Sequence, residues 1–222
     1  MPRRPRFSTA GYVFHVLNRG AGRHTIFDDE TDYDSFIRLI EQSRQRVSLR
    51  ILAFCLMPNH FHLLLWPEND DALADFMHWL TVTHSQRRHA KLQTTGTGPI
   101  YQGRFKSFPV QEDDHYLVAT RYVERNALRA LLVQRAELWK WCSLWQNVQE
   151  RADIILSPGP VERGCDWLNY VNDPQSELEL GSLRHSCKTG RPYGGNEWIK
   201  GTAKKLGLEQ TLRSRGNPGR YG

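Results

Sequence analysis

Two histidines one residue apart, His60 and His62, sit in the segment Met57-Pro-Asn-His-Phe-His-Leu-Leu-Leu-Trp66, which is otherwise mostly apolar. Successive side chains of a strand point to opposite faces, so both imidazoles look one way and Phe61 the other. Such a pair is one edge of a metal site, or two polar rings at a strand end that need hydrogen-bond partners. A second group lies in the segment His115 to Val133, HYLVATRYVERNALRALLV. Wound as a helix, it puts Tyr116, Thr120, Val123, Ala127 and Leu131 on an inward stripe, and Tyr122 with Arg125, Asn126 and Arg129 on another. Residues four apart are neighbours, so the Tyr122 hydroxyl and the Asn126 amide address the same small volume. A phenol titrates near pH ~10 and is a nucleophile at neutral pH only where a cation or base favours loss of its proton. The plainer readings stand beside these. Tyr122 could be an ordinary half-buried tyrosine, Tyr116 is read as core although it is the rival nucleophile, and His15 either abuts the site or is a packed core histidine.

These residues need elements to hold them. Gly11 to Asn18 is rich in β-branched and aromatic residues and ends at a turn, Arg19-Gly20, so it reads as a strand. A helix follows, capped by Asp28 or Asp29, with Tyr33, Phe36, Ile37 and Ile40 at helical spacing. Leu49 to Leu56 and the histidine segment to Trp66 are two more strands, joined as a hairpin by Met57-Pro58-Asn59. After Pro67 a second helix opens at Asp70 or Asp71, carries Leu73, Phe76, Met77 and Leu80 inward, and ends in an exposed Gln86-Arg87-Arg88-His89. A fourth strand is expected over 105–110 and a third helix over 113–133. The order is that of the split βαβ, or ferredoxin-like, α+β fold: an antiparallel sheet with helices on one face and one added helix. Its usual topology places the first and third strands, and with them the histidine pair, at the sheet centre. Beyond Ser157 the pattern weakens to one short helix, Glu197 to Leu212, and a Gly/Arg-rich end. The division expected is 1–150 for the catalytic fold and 151–222 for a basic extension.

The chain of 222 residues carries 30 Lys plus Arg against 24 Asp plus Glu, a formal charge of +6 that favours a polyanionic partner. Cys55, Cys142, Cys165 and Cys187 show no C-x-x-C spacing, which argues against a zinc ribbon or a disulfide framework. The start, MPRRPRF, lacks the apolar stretch of a signal peptide, and no apolar run is long enough for a membrane span, so a cytoplasmic protein is expected. Arg104 and Lys106 flanking Phe105 could clamp a phosphate while the ring stacks a base, or could be the charges that edge strands commonly carry. Trp139, Trp141 and Trp145 read as satellite core.

Four stretches, VFHVLNRG, CLMPNHFHLLLWP, YQGRFKS and RYVERNALRALLV, occur in this order over roughly residues 7 to 145. Together they resemble the HUH single-tyrosine transposases, and within them the REP-associated tyrosine transposases of the insertion-sequence-200-like family. The tail KTGRPYGGNEWIKGTAKKLG resembles that branch's basic C-terminal segment. The resemblance implies a ferredoxin-like sheet and a transposase that cuts and rejoins single-stranded DNA, in hairpin form, through a 5′-phosphotyrosine. By position it makes Tyr122 the nucleophile and His60, His62 and Asn126 the ligands of Mg²⁺ or Mn²⁺. The donor set alone would suit Zn²⁺ better. The DNA-binding set expected is Arg3, Arg4, Arg6, Arg19, Arg104, Lys106, Arg125 and Arg191, in a monomer or homodimer. Two departures stand out: Ala127 follows Asn126 where the family often has proline, and His84 to His89 replaces an aromatic-rich helix end. Other readings are a hairpin-binding protein on the same fold without nuclease activity, and a zinc hydrolase, for which no acidic base stands at a convincing spacing.

Overall fold

Strand β1 (Val13–Arg19) leads into α1 (Glu30–Arg44), the hairpin of β2 (Leu49–Met57) and β3 (His60–Pro67), α2 (Ala72–Leu92) and β4 (Lys106–Val110), in a computed structural model that describes residues 9–213. The four strands pair antiparallel in the order β2-β3-β1-β4, so β1 and β3 form the centre of the sheet. Alternation then sorts the side chains. Phe14, Val16, Phe61, Leu63 and Leu65 join the core under α1 and α2. Val13, Leu64, Phe108 and Val110 join a second core on the other face, under α3 (Asp114–Glu124). A register shift between Ile51 and Ala53 sends the adjacent Leu52 and Ala53 to the same side, the signature of a bulge.

Asp29, not Asp28, caps α1: its side chain accepts from the Asp32 amide. Asp70 caps nothing in α2 and instead accepts from the Ala10 amide at 2.8 Å. The hairpin turn is braced by the 20–27 segment, since Pro58 O accepts from Ile26 N and Asn59 O from Gly20 N. Gly20 is required there, because a Cβ would lie 2.2 Å from the His24 carbonyl oxygen.

Four expectations need correction. The end of α2 is exposed at Gln86 and Arg87 but not at Arg88, which is 6% exposed and pairs with Asp28 and Asp32, because positions 80, 84 and 88 share the inward face and the start of α1 supplies carboxylates opposite. The third helix is not continuous. It ends at Glu124, a short α4 (Asn126–Arg129) follows, and Leu131, expected inward, is 89% exposed with φ +58°. The last helix, α8 (Asn196–Lys205), stops before Gly207 at φ +61°, so Glu209–Leu212 is a separate 3₁₀ turn. And the region after Ser157 is far from featureless: between 151 and α8 it carries α6 (Trp167–Asn172) and α7 (Glu177–Thr189), after the earlier α5 (Ser143–Val148). The overlooked signal for α7 is Ser176-x-x-Glu179, which forms a capping box, with Gly190 as the left-handed stop. No helix among the described residues is long and apolar enough to cross a membrane.

Within the first core His84 lies between Phe27, Phe36 and Tyr101, its Nδ1 2.6 Å from the Tyr101 hydroxyl. Burial, and then Arg88, lowers its pKa from 6.5 to about 4. The unfolded chain therefore binds a proton in this window that the fold does not. Stability from this group is intact above about pH 6.5 and is lost as pH falls toward 4, by about 3 kcal/mol in full. Melting curves from pH 7.5 to 4.5 are expected to show a shallower acid limb for His84→Gln than for the wild type; superimposable limbs would assign the loss to other groups.

Candidate active site

His60 and His62 lie on the face of β3 turned toward α3, with ring centroids 5.2 Å apart. They open into a cavity of about 570 Å³ that Tyr122 and Asn126 also line. The register explains the convergence, since Arg19 faces His60 across the sheet centre and Leu17 faces both His62 and Lys106. The Tyr122 ring stands 5.8 Å from His62 and 5.8 Å from His15.

Each imidazole is held from behind. His60 Nδ1 is 2.6 Å from Asn59 Oδ1, and His62 Nδ1 is 2.8 Å from Nε2 of the fully buried His15. Both Nε2 atoms are left for the cavity, and with the other nitrogen occupied this is the posture of a ligating histidine. Burial, and then Arg19 and Arg129, lowers the His60 pKa to about 3. Burial, and then His15 and His60, holds His62 well below its usual value, so both rings are neutral near pH 7. Among the described residues no cluster of three or more His, Cys, Asp or Glu is disposed to hold a metal. Besides the side-chain amides of Asn18 and Gln102, the lining carries that of Asn126. Its Oδ1 accepts from Arg129 Nη2 at 2.7 Å while Nδ2 is buried without a partner.

Tyr122 is 5% exposed, and its hydroxyl is the hydrogen-bond partner of the Cys187 thiol. Burial first, then Cys187, raises the phenol pKa, whereas Arg129 and Arg184 pull it down. Arg129 lies over the Tyr122 ring at 4.1 Å. Cys187 is itself pushed up to about 11, chiefly by burial.

Of the basic residues expected near DNA, Arg19, Arg104 and Lys106 line the cavity. Arg125 does not line it; its Nε donates to the Asp173 carbonyl at 2.9 Å. Arg191 lines a different cavity of about 560 Å³, with His115, His185 and Tyr193. Arg3, Arg4 and Arg6 lie outside the described residues. Arg129 joins the cavity lining, in keeping with its place on the Tyr122 stripe, whereas Arg184, Cys187 and Lys188 were not expected there. The last three come from α7, more than fifty residues downstream of the tyrosine, and no local pattern announces such a contact. The described lining thus holds six cations, Arg19, Arg104, Lys106, Arg129, Arg184 and Lys188, and no carboxylate.

The fold agrees with that of a solved protein. A solved structure of a REP-associated tyrosine transposase bound to a REP hairpin superposes with a TM-score of 0.55 at 16% identity, covering 79% of this chain and 92% of that one. At that identity the likeness is one of fold. A protein of Deinococcus radiodurans R1 described as a candidate transposase gives a TM-score of 0.39 at 18% identity, over 53% of this chain and 93% of that one. A search of curated proteins finds no match. The family model described as "Transposase IS200 like" matches residues 8–126, a span that begins just before β1 and closes on Asn126 and that takes in more than half of the sequence: the chain belongs to the IS200-like transposase family.

Proposed function

We infer that this chain cuts and rejoins single-stranded DNA in hairpin form through a covalent bond to Tyr122, with Mg²⁺ or Mn²⁺ held by His60, His62 and Asn126. The observation that carries the reading is the composition of one cavity: a tyrosine hydroxyl, two neutral imidazoles with free Nε2 atoms, a buried amide, and six cations without an acid. A cavity so charged stabilises a phosphodiester strand and repels few of its groups. His60 offers a lone pair at Nε2 as it stands, because Asn59 Oδ1 takes the proton on Nδ1, and His62 does so once its proton is on Nδ1; Asn126 fits once its carbonyl gives up Arg129.

In this reading Arg19, Arg104 and Lys106 from the sheet end, with Arg184 and Lys188 from α7, hold the strand. Tyr122 Oη attacks the scissile phosphorus, the bond to the 3′ oxygen breaks, and the phenolic proton ends on the departing 3′-OH. The phosphodiester energy is kept in the 5′-phosphotyrosine, so another 3′-OH can reverse the step and join. Arg129 and Arg184 oppose the effect of burial on the phenol and favour its ionised form. The divalent ion, when bound, would polarise the phosphate and offset charge on the attacking and leaving oxygens. The 151–222 segment acts as a DNA-binding extension. A hairpin substrate is favoured because a REP hairpin is what the transposase of like fold is bound to.

The test is a denaturing gel of the chain mixed with labelled hairpin DNA carrying single-stranded flanks. A protein-linked DNA band is expected with Mn²⁺ and is expected to vanish with chelator. Binding with no covalent band under any condition would make the chain a hairpin-binding module instead, and free 5′-phosphate ends would make it a hydrolase.

A further inference from the structure

We propose that His15 is a positioning residue that sets the tautomer of His62 and so governs how tightly this pocket holds a divalent cation, a role that rests on the metal-dependent reading above. His15 stands on β1, fully buried, with its ring 5.0 Å from His62 and 4.9 Å from Phe108, and it is not part of the cavity lining. Its Nε2 is 2.8 Å from His62 Nδ1, and one proton lies between the two nitrogens.

Two neutral arrangements follow. With that proton on His15 Nε2, His62 Nδ1 accepts, and the proton belonging to His62 sits on Nε2, where it blocks a cation. With that proton on His62 Nδ1, His62 Nε2 offers a lone pair, and His15 carries its own proton on Nδ1. That Nδ1 atom is buried without a hydrogen-bond partner. A buried N–H without an acceptor is the less tolerated orphan, so the first arrangement is the resting one. A cation at His62 Nε2 selects the second. The proton leaves His62 Nε2, the shared proton passes from His15 Nε2 to His62 Nδ1, and His15 gains one at Nδ1. Each ring is neutral before and after, and no proton is taken up or released overall. A histidine kept only to fill space would not need its Nε2 on the back of a site ligand, and an aromatic hydrocarbon would fill the same space at lower polar cost.

Mn²⁺ titrated into the full chain, with free Mn²⁺ read by EPR, tests the role without reference to activity. His15→Phe, which keeps the ring and removes the acceptor, is expected to weaken Mn²⁺ binding about 10- to 100-fold. His15→Gln, whose side-chain oxygen reaches the Nε2 position and accepts without creating the orphan ring N–H, is expected to bind at least as tightly as the wild type. Imidazole ¹⁵N spectra of the wild type are expected to show His62 moving from Nε2–H to Nδ1–H as Mg²⁺ saturates. Equal Mn²⁺ affinity in wild type and a folded His15→Phe overturns the proposal and leaves the metal reading standing. A wild type that binds no Mn²⁺ removes the metal reading, and this role with it. Should His15→Phe not fold, the spectra decide: no tautomer change at saturating Mg²⁺ overturns the proposal.

Discussion

Tyr122→Phe is expected to lower formation of the DNA–protein adduct by on the order of 10⁴-fold or more, the scale seen when a nucleophile is deleted from a site whose other parts remain. The substitution removes one atom. The ring keeps its place under Arg129 at 4.1 Å and beside His15 and His62. The lost hydrogen bond to Cys187 costs about 0.5–1.5 kcal/mol, too little to unfold a domain of this size. Hairpin affinity is expected to hold, because the six cations of the cavity are untouched. The rival phenol serves as the control. Tyr116 is 1% exposed, packs against Gly159, where a Cβ would meet its hydroxyl at 2.1 Å, and does not line the cavity. Tyr116→Phe should therefore leave adduct formation near the wild-type rate. An adduct that persists in Tyr122→Phe at the wild-type level sinks the assignment.

Glu124→Ala is expected to be the most damaging single change for stability, at about 3–5 kcal/mol, the loss typical of removing one member of a buried ion pair. For a chain of this length that lowers the melting temperature by about 10 °C. Glu124 is fully buried two residues after Tyr122. It accepts from Ser143 Oγ at 2.7 Å and Trp167 Nε1 at 2.8 Å, and faces Arg163 at 3.1 Å. Alanine strands Trp167 Nε1 and leaves Ser143 and Arg163 only the Phe54 and Leu52 carbonyls, whereas Glu124→Gln keeps an acceptor and is expected to lose less. The location matters as much as the magnitude. Trp167 and Arg163 belong to the extension, so one carboxylate ties that segment to the end of the tyrosine helix. Thermal melts of the two variants read the effect directly, and a shift below 1 °C for Glu124→Ala would show that the network is not needed for folding.

The extent to which the chain announced itself differs from element to element. Period-two alternation in β1 and β3 and the helical spacing of Phe36, Ile37 and Ile40 or Phe76, Met77 and Leu80 are local signals, and they sufficed for the order of elements and the central place of β1 and β3. The shared face of His60 and His62 followed from the same alternation, because a strand leaves a side chain only two directions. The spacing of Tyr122 and Asn126 was likewise legible, although the break after Glu124 was not: Arg125 has ordinary helix propensity, and nothing in its type marks a boundary.

What the tertiary structure alone decided is everything that depends on segments far apart in the chain. Arg88 looks like surface charge until Asp28 and Asp32 are brought opposite it, about sixty residues away. Arg184, Cys187 and Lys188 look like part of a weakly patterned tail until α7 docks beside β4 and α3 and turns them toward the tyrosine. The pairing of His15 with His62 depends on strand register, which pattern does not number. The physical reason is common to all three. Local periodicity records which face of an element avoids water, whereas the partner on that face is chosen by packing and charge across the whole fold, and a residue type carries no address for a neighbour it meets only after folding.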